Sequence, residues 1–177
     1  MNLKLVFPDI TYKEKAIEYI KEFHDHGSEI NGTGSLDSFL EESTYEAWLA
    51  KILGEMDIAN IPDTKVPSLT YFYVREDDDR IVGMINIRLA LNDFLRKEGG
   101  HIGYSIRPTE RRKHFATQML NEGLKVCDKI GIKEVLIVCD KSNAASAGVI
   151  KRCGGVLKEE TFSENGREML QMYVIKR

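Results

Sequence analysis

The sequence predicts an α/β fold in which a mixed, mostly antiparallel central sheet is flanked by helices in α+β layers. Three observations predict it. Short segments with the two-residue alternation of strands recur between segments with the 3.6-residue spacing of helices. Residues 135–139, Val-Leu-Ile-Val-Cys, form a continuous apolar run of the kind shown by a strand covered on both faces. Asn165-Gly166, a dipeptide suited to a primed two-residue turn, separates two more strand-like runs. A chain of 177 residues fills one core and is short for two. No repeat, low-complexity tract or linker interrupts it, so residues 1–177 are expected to form a single domain.

Each element has its own local signal. Residues 3–7 alternate and read as a strand stopped by Pro8. Residues 13–24 place Ala16, Ile17, Ile20 and Phe23 at helical spacing. Gly27, Gly32 and Gly34 mark residues 27–35 as a flexible loop. Ser43 or Thr44 caps a second helix with Ala47, Trp48, Leu49, Ile52 and Leu53 as apolar positions. Residues 61–67 are a proline-containing connection, and strands at 69–75 and 81–89 are joined by the turn Asp77-Asp78-Asp79. A strand over 100–107 ends at Pro108, and a helix over 113–130 buries Ala116, Leu120, Gly123, Cys127 and Ile130 before Gly131 stops it. After the strand at 135–139, Asn143 caps a last helix that ends at Gly154-Gly155. Residues 156–162 and 169–175 form the closing hairpin. Tyr45, Trp48, Met56, Met84 and Met119 read as core filler.

Composition excludes some functions. Hydrophobic residues make up 42% and charged residues 30%, the balance of a soluble globular chain. A net charge of −3 gives no case for nucleic-acid binding. No apolar run is long enough to span a membrane, and the N-terminus is charged too soon for a signal peptide. Cys127, Cys139 and Cys153 are an odd count with no zinc spacing, so no metal is expected and reduced thiols point to the cytoplasm. There is no G-x-x-x-x-G-K-[ST] run and no G-x-G-x-x-G after a strand, against nucleotide hydrolysis and dinucleotide chemistry.

Charge is unevenly placed. Between Lys21 and Lys51 there is no Lys or Arg, while Glu22, Asp25, Glu29, Asp37, Glu41, Glu42 and Glu46 all lie there. That stretch is either a surface that selects a cation or a solvated acidic face. Conversely Arg107, Arg111, Arg112 and Lys113 crowd the junction between the strand ending at Ile106 and the following helix. A helix N-terminus leaves backbone N–H groups unpaired and carries partial positive charge, so a phosphate docks there readily. The alternative is a solvated basic helix start.

Two segments resemble the cofactor motifs of the GNAT N-acetyltransferase superfamily. Arg111-Arg112-Lys113-His114-Phe115-Ala116 stands where that family has Q/R-x-x-G-x-G/A. The run at 135–139, then Asn143, then a helix ending at Gly154-Gly155 is similar to its second segment. The resemblance covers residues 69–156. There are two departures: His114 replaces a glycine that lets the backbone approach a pyrophosphate, and Ile150 stands where many members have a proton-donating Tyr.

The resemblance implies a GNAT-like acyltransferase that moves acetyl from acetyl-CoA to a primary amine by direct attack. Pyrophosphate would sit on the N–H groups of Arg112, Lys113, His114, Phe115, Ala116 and Thr117, beside Arg111. Pantetheine would lie along residues 104–107, including Ile106 and Arg107, as an added strand. An N–H near Ile106 would stabilise the oxyanion, Asn143 would offer its amide to pantetheine besides capping its helix, and Ser146 would face the same ligand or be a plain helix residue. His101 is the candidate general base, with Glu98 second; its other reading is a hydrogen-bonded His at a strand start. Tyr104 would donate a proton in place of the missing Tyr, or simply pack. His24 and His26 would line the acceptor pocket, or sit at a helix C-terminus for its dipole. The acceptor is expected to be a cationic small molecule or peptide amine, and the C-terminal hairpin could pair across a homodimer, as in some relatives, though nothing in the sequence demands it. The alternatives are a domain that binds acyl-CoA or CoA without turnover, which His114 and Ile150 favour, and a domain of similar shape whose basic loop serves another phosphorylated ligand.

Overall fold

Antiparallel ladders define two sheets. In the computed structural model, which describes residues 2–56, 61–62 and 65–177, strands β1 (Leu3–Val6), β2 (Ser68–Arg75), β3 (Arg80–Arg88) and β4 (Ile102–Ile106) form one sheet in the order β1-β2-β3-β4. Strands β5 (Glu134–Asp140), β6 (Val156–Phe162) and β7 (Met169–Lys176) form the other, in the order β5-β7-β6. Helices α1 (Lys13–Asp25), α2 (Leu36–Glu42) and α3 (Tyr45–Gly54) cover one face of the first sheet, and α4 (Phe115–Lys129) covers the other, with α5 (Ala144–Arg152) beside it. This is the α/β layering that the periodicities predict.

Alternation along β2 and β3 sets the layers. Phe72, Val74, Ile81 and Met84 pack with Ala16, Tyr19, Phe23 and Trp48 on the α1–α3 side. Tyr73, Val82, Ile85 and Ile87 pack with Met119, Leu120 and Leu124 on the α4 side. Side chains of period two thus feed two cores. Helix α4 comes close because Gly123 has no side chain: a Cβ there would lie 2.6 Å from Ile85 Cδ1.

Several sequence expectations are corrected. The strand buried along its whole interior is β3, whereas in β5 Val135 and Ile137 are buried and Val138 and Cys139 are half-exposed. Those two face an open cleft instead of a covering layer. Helix α2 has Leu36, Phe39 and Leu40 at helical spacing against the α1–α3 core, but at seven residues it is too short for a periodicity to stand out in sequence. Leu53, Met56 and Ile130 are exposed rather than core. Thr44 is the cap of α3, accepting Ala47 N–H at 3.2 Å. The connection expected at residues 61–67 lies partly outside the described residues.

The two sheets meet at one point. Gly100 bridges to Ile137, and His101 N–H donates to Leu136 O at 2.7 Å. Gly100 has φ +64, and a Cβ there would come 2.5 Å from Leu136 O, so only glycine lets the backbones touch. Past this point the outer edge of β4 has no ladder partner among the described strands, and the sheets splay apart.

Candidate functional site

The splay opens a cleft of about 1180 Å³. Its walls are β4, the N-terminal ends of α4 and α5, the end of β5 and residues 27–31. Uncovered strand edge and two helix N-termini in one cavity offer many backbone groups to a ligand.

One end is built for anions. The N-cap of α4, His114, makes no capping hydrogen bond through its side chain. Phe115, Ala116 and Thr117 line the cleft there as the first residues of the helix. Arg112 has φ +66 and His114 φ +61, with Lys113 between them on the ordinary side of φ. Backbone of alternating hand makes an anion-binding concavity of successive N–H groups. His114 therefore holds the left-handed conformation that glycine would supply, and the cleft keeps its shape.

The four cations of this region separate. Arg111 lines the cleft, donating through Nε to Ile106 O at 3.1 Å and through Nη2 to Ser28 Oγ at 2.7 Å. Arg112 lines it too, exposed. Lys113 turns away to Glu110 at 2.8 Å. Arg107 is 1% exposed and donates to Glu18 at 2.8 Å and Glu22 at 3.2 Å. A guanidinium behind the strand positions the loop rather than the ligand. Glu22 also accepts Thr109 N–H at 3.0 Å and its hydroxyl at 2.8 Å. Burial pushes the Glu22 carboxyl up, but Thr109, Arg107 and Arg80 together hold it below the usual range.

In the middle, Tyr104 on β4 and Ser146 on α5 share a hydrogen bond of 3.0 Å. Burial pushes the Tyr104 phenol well up, so it is protonated at neutral pH, and the hydrogen bond with Ser146 acts in the other direction. Asn143 Oδ1 accepts Ser146 N–H at 2.9 Å, which leaves the amide NH2 outside that cap. Cys139 lines the same stretch, while Cys127 and Cys153 are buried; all three are free thiols. Ile150 is fully buried in the core and not in the cleft wall.

At the start of β4, His101 is held by the seam between the sheets. Its Nδ1 accepts Leu136 N–H at 2.9 Å, so the lone pair that would take a proton is occupied. Burial, then Arg96 and Arg88, lower its pKa. His101 belongs to the seam between the sheets and does not line the cleft, whereas Glu98 does. Of the acidic stretch, Glu29 reaches the cleft while Glu41 and Glu42 do not. His24 and His26 are exposed at the end of α1 outside the cleft wall, with His26 Nδ1 2.8 Å from Glu22 O. Arg88 and Arg152 also line the cleft; a lone Arg at the end of β3 and one of two cations ending α5 are weak signals in sequence. Among the described residues, no group of His, Cys, Asp and Glu is placed to hold a metal, and no helix is long and apolar enough to cross a membrane.

A family model for the acetyltransferase (GNAT) domain matches residues 30–156. No curated protein matches the chain. Among solved structures, a ribosomal-protein-S5-alanine acetyltransferase from Vibrio fischeri aligns with TM-score 0.73 and 17% identity, over 99% of this chain and 93% of its own. A ribosomal L7/L12 alpha-N-protein acetyltransferase in complex with coenzyme A aligns with TM-score 0.68 and 16% identity, over 99% and 94%. A microcin C7 self immunity acetyltransferase in complex with acetyl-CoA and AMP aligns with TM-score 0.66 and 20% identity, over 99% and 92%. At these identities the likeness is one of fold.

Proposed function

The chain belongs to the GNAT acetyltransferase family, and from that premise we propose that its cleft binds acetyl-CoA and transfers the acetyl group to a primary amine. The observation that carries this is the uncapped N-terminus of α4, with its left-handed Arg112 and His114, opening onto the free edge of β4. Pyrophosphate takes the N–H groups of residues 112–117, with Arg111 and Arg112 beside it. Pantetheine lies along β4 from Ile106 toward Tyr104 and meets the Asn143 amide. Neighbours of the same fold bind coenzyme A and acetyl-CoA. Residues 1–177 make one such domain in this reading.

The net reaction needs no outside proton. The amine attacks the thioester carbon, the C–S bond breaks, the nitrogen loses one proton and the sulfur gains one. With the thioester pointing toward Tyr104, a free N–H of the β4 edge there stabilises the oxyanion; one such donor is worth about 2.7–4 kcal/mol. Tyr104, a weak acid after burial, hydrogen-bonds the departing thiolate with Ser146 behind it. Glu98, whose Oε1 also accepts Glu164 N–H, takes one proton from the bound ammonium and passes it to solvent, and the neutral amine that results is the species that attacks. Glu29 and Glu98 give the acceptor end negative charge, which suits a cationic amine on a small molecule or peptide.

The free thiols fit a cytoplasmic protein. A homodimer would use β6, an edge strand with Val156, Leu157 and Phe162 exposed. The test of function is release of free thiol from acetyl-CoA on adding members of an amine library. Glu98→Gln keeps the side chain's shape and should lower kcat about 100-fold with little change in KM for acetyl-CoA. An unchanged kcat would remove Glu98 from the mechanism.

A further inference from the structure

Arg88 is a cation that the transfer chemistry leaves unused. It ends β3, and its Nη1 donates to Gly99 O and Gly100 O, each at 3.0 Å. These bonds pin the guanidinium inside the fold. Arg75, Arg80, Arg107 and Arg177 all pair with carboxylates. Among the described residues Arg88 pairs with none, and burial alone lowers its pKa. Two carbonyl dipoles are poor compensation for a desolvated charge.

Its place gives that charge a use. Arg88 lines the cleft together with Phe94 and Glu98, at the start of β4. The strand rises about 3.3 Å per residue, so this end lies about 13 Å from the Ile106 end, where the anion-binding loop begins. The side chain passes beside Gly103, where a Cβ would lie 3.6 Å from Nη2. The Gly32 backbone packs on the same position, 3.5 Å from where that Cβ would stand, and both hydrogen bonds of the guanidinium use Nη1, so the Nε–Nη2 edge is left for a partner. Planar forks of this kind take carboxylates in pairs of hydrogen bonds.

We propose that the acceptor carries a carboxylate on the same molecule as its amine, and that Arg88 binds that carboxylate. The acceptor is then amino-acid-like: its ammonium meets Glu98 and its carboxylate meets Arg88, while Phe94, half-exposed in the same wall, offers an apolar surface to its side chain. This rests on reading the cleft as an acetyl-transfer site. It narrows the acceptor from any cationic amine to a zwitterion.

Matched acceptors test it: lysine, lysinamide and cadaverine, then phenylalanine, phenylalaninamide and phenethylamine. With the wild-type protein, kcat/KM should be at least about tenfold higher for the carboxylate member of a set, mainly through KM, an advantage of about 1.4 kcal/mol. In Arg88→Met the ratio within the set should fall to near one, and Arg88→Lys should keep part of it. An acetyl-CoA titration of each variant reports whether its cleft is intact. Equal turnover across both sets by the wild type, or a preference that survives in Arg88→Met, overturns the inference while leaving acetyl transfer standing. So does a loaded protein that neither turns over nor binds the carboxylate members. Failure of the wild type to bind acetyl-CoA brings down the underlying reading as well.

Discussion

Asn143 has two tasks that substitution separates. Its Oδ1 caps α5 through Ser146 N–H, and its NH2 is the proposed donor to pantetheine. Asn143→Ser keeps a capping oxygen and loses the amide, so CoA affinity should fall severalfold while the melting temperature holds. Asn143→Ala should lose both, with the cap worth about 1 kcal/mol. Calorimetry and thermal melts read the two effects; equal CoA affinity in all three proteins would refute the pose. His101 gives a pH signature. Its folded pKa is lowered, so the unfolded chain takes up the proton first, near its ordinary value of about 6.5. The stability it contributes is complete above that value and is lost as pH falls from there toward the folded pKa. His101→Gln keeps an acceptor for Leu136 N–H but does not titrate. Between about pH 7 and pH 5 the wild type should lose melting temperature faster than this variant, and the kcat profile should keep its shape. Parallel melting curves would put His101 outside the seam. Residue type alone could not distinguish these roles, because the partner that occupies Nδ1 is Leu136, 35 positions away in sequence.

At the scale of elements, the anion-binding loop is held from behind. Glu22 of α1 gathers Arg107, Arg80 and Thr109, so a helix near the N-terminus fixes residues 107–112. Glu22→Ala removes these acceptors and leaves a fully buried Arg107 with Glu18. It should cost roughly 1–3 kcal/mol and weaken CoA several-fold, although Glu22 does not line the cleft. Calorimetry showing wild-type affinity would mean the loop keeps its shape unaided. The loop, the helix it opens and the Asn143 cap were legible in sequence because each is a local pattern: a charge cluster, a 3.6-residue stripe, a capping residue. The partners of Arg107 are not legible in sequence, because local charge says nothing about the carboxylates that a distant helix brings. Helix α2 was hidden by its seven-residue length, and Arg88 by the lack of any motif around it.

For the whole molecule, function depends on two sheets that touch at one point and then part. The layering follows from alternation along the strands, but the splay does not, because it depends on which strand edges fail to pair. Gly100 marks the point of contact. Gly100→Ala must place a Cβ against Leu136 O in a backbone conformation that side chains rarely adopt, and should cost more than about 2 kcal/mol. The melting temperature should drop, and at low temperature CoA binding should weaken because the seam sets the width of the cleft. An unchanged melt would mean that the seam yields without cost. The most direct test of the central claim is calorimetric titration of the wild-type protein with acetyl-CoA and with CoA. Saturable, one-to-one binding in the micromolar range, weakened by Asn143→Ser, is the predicted result. No binding of either ligand would mean that the splayed cleft is not a CoA site.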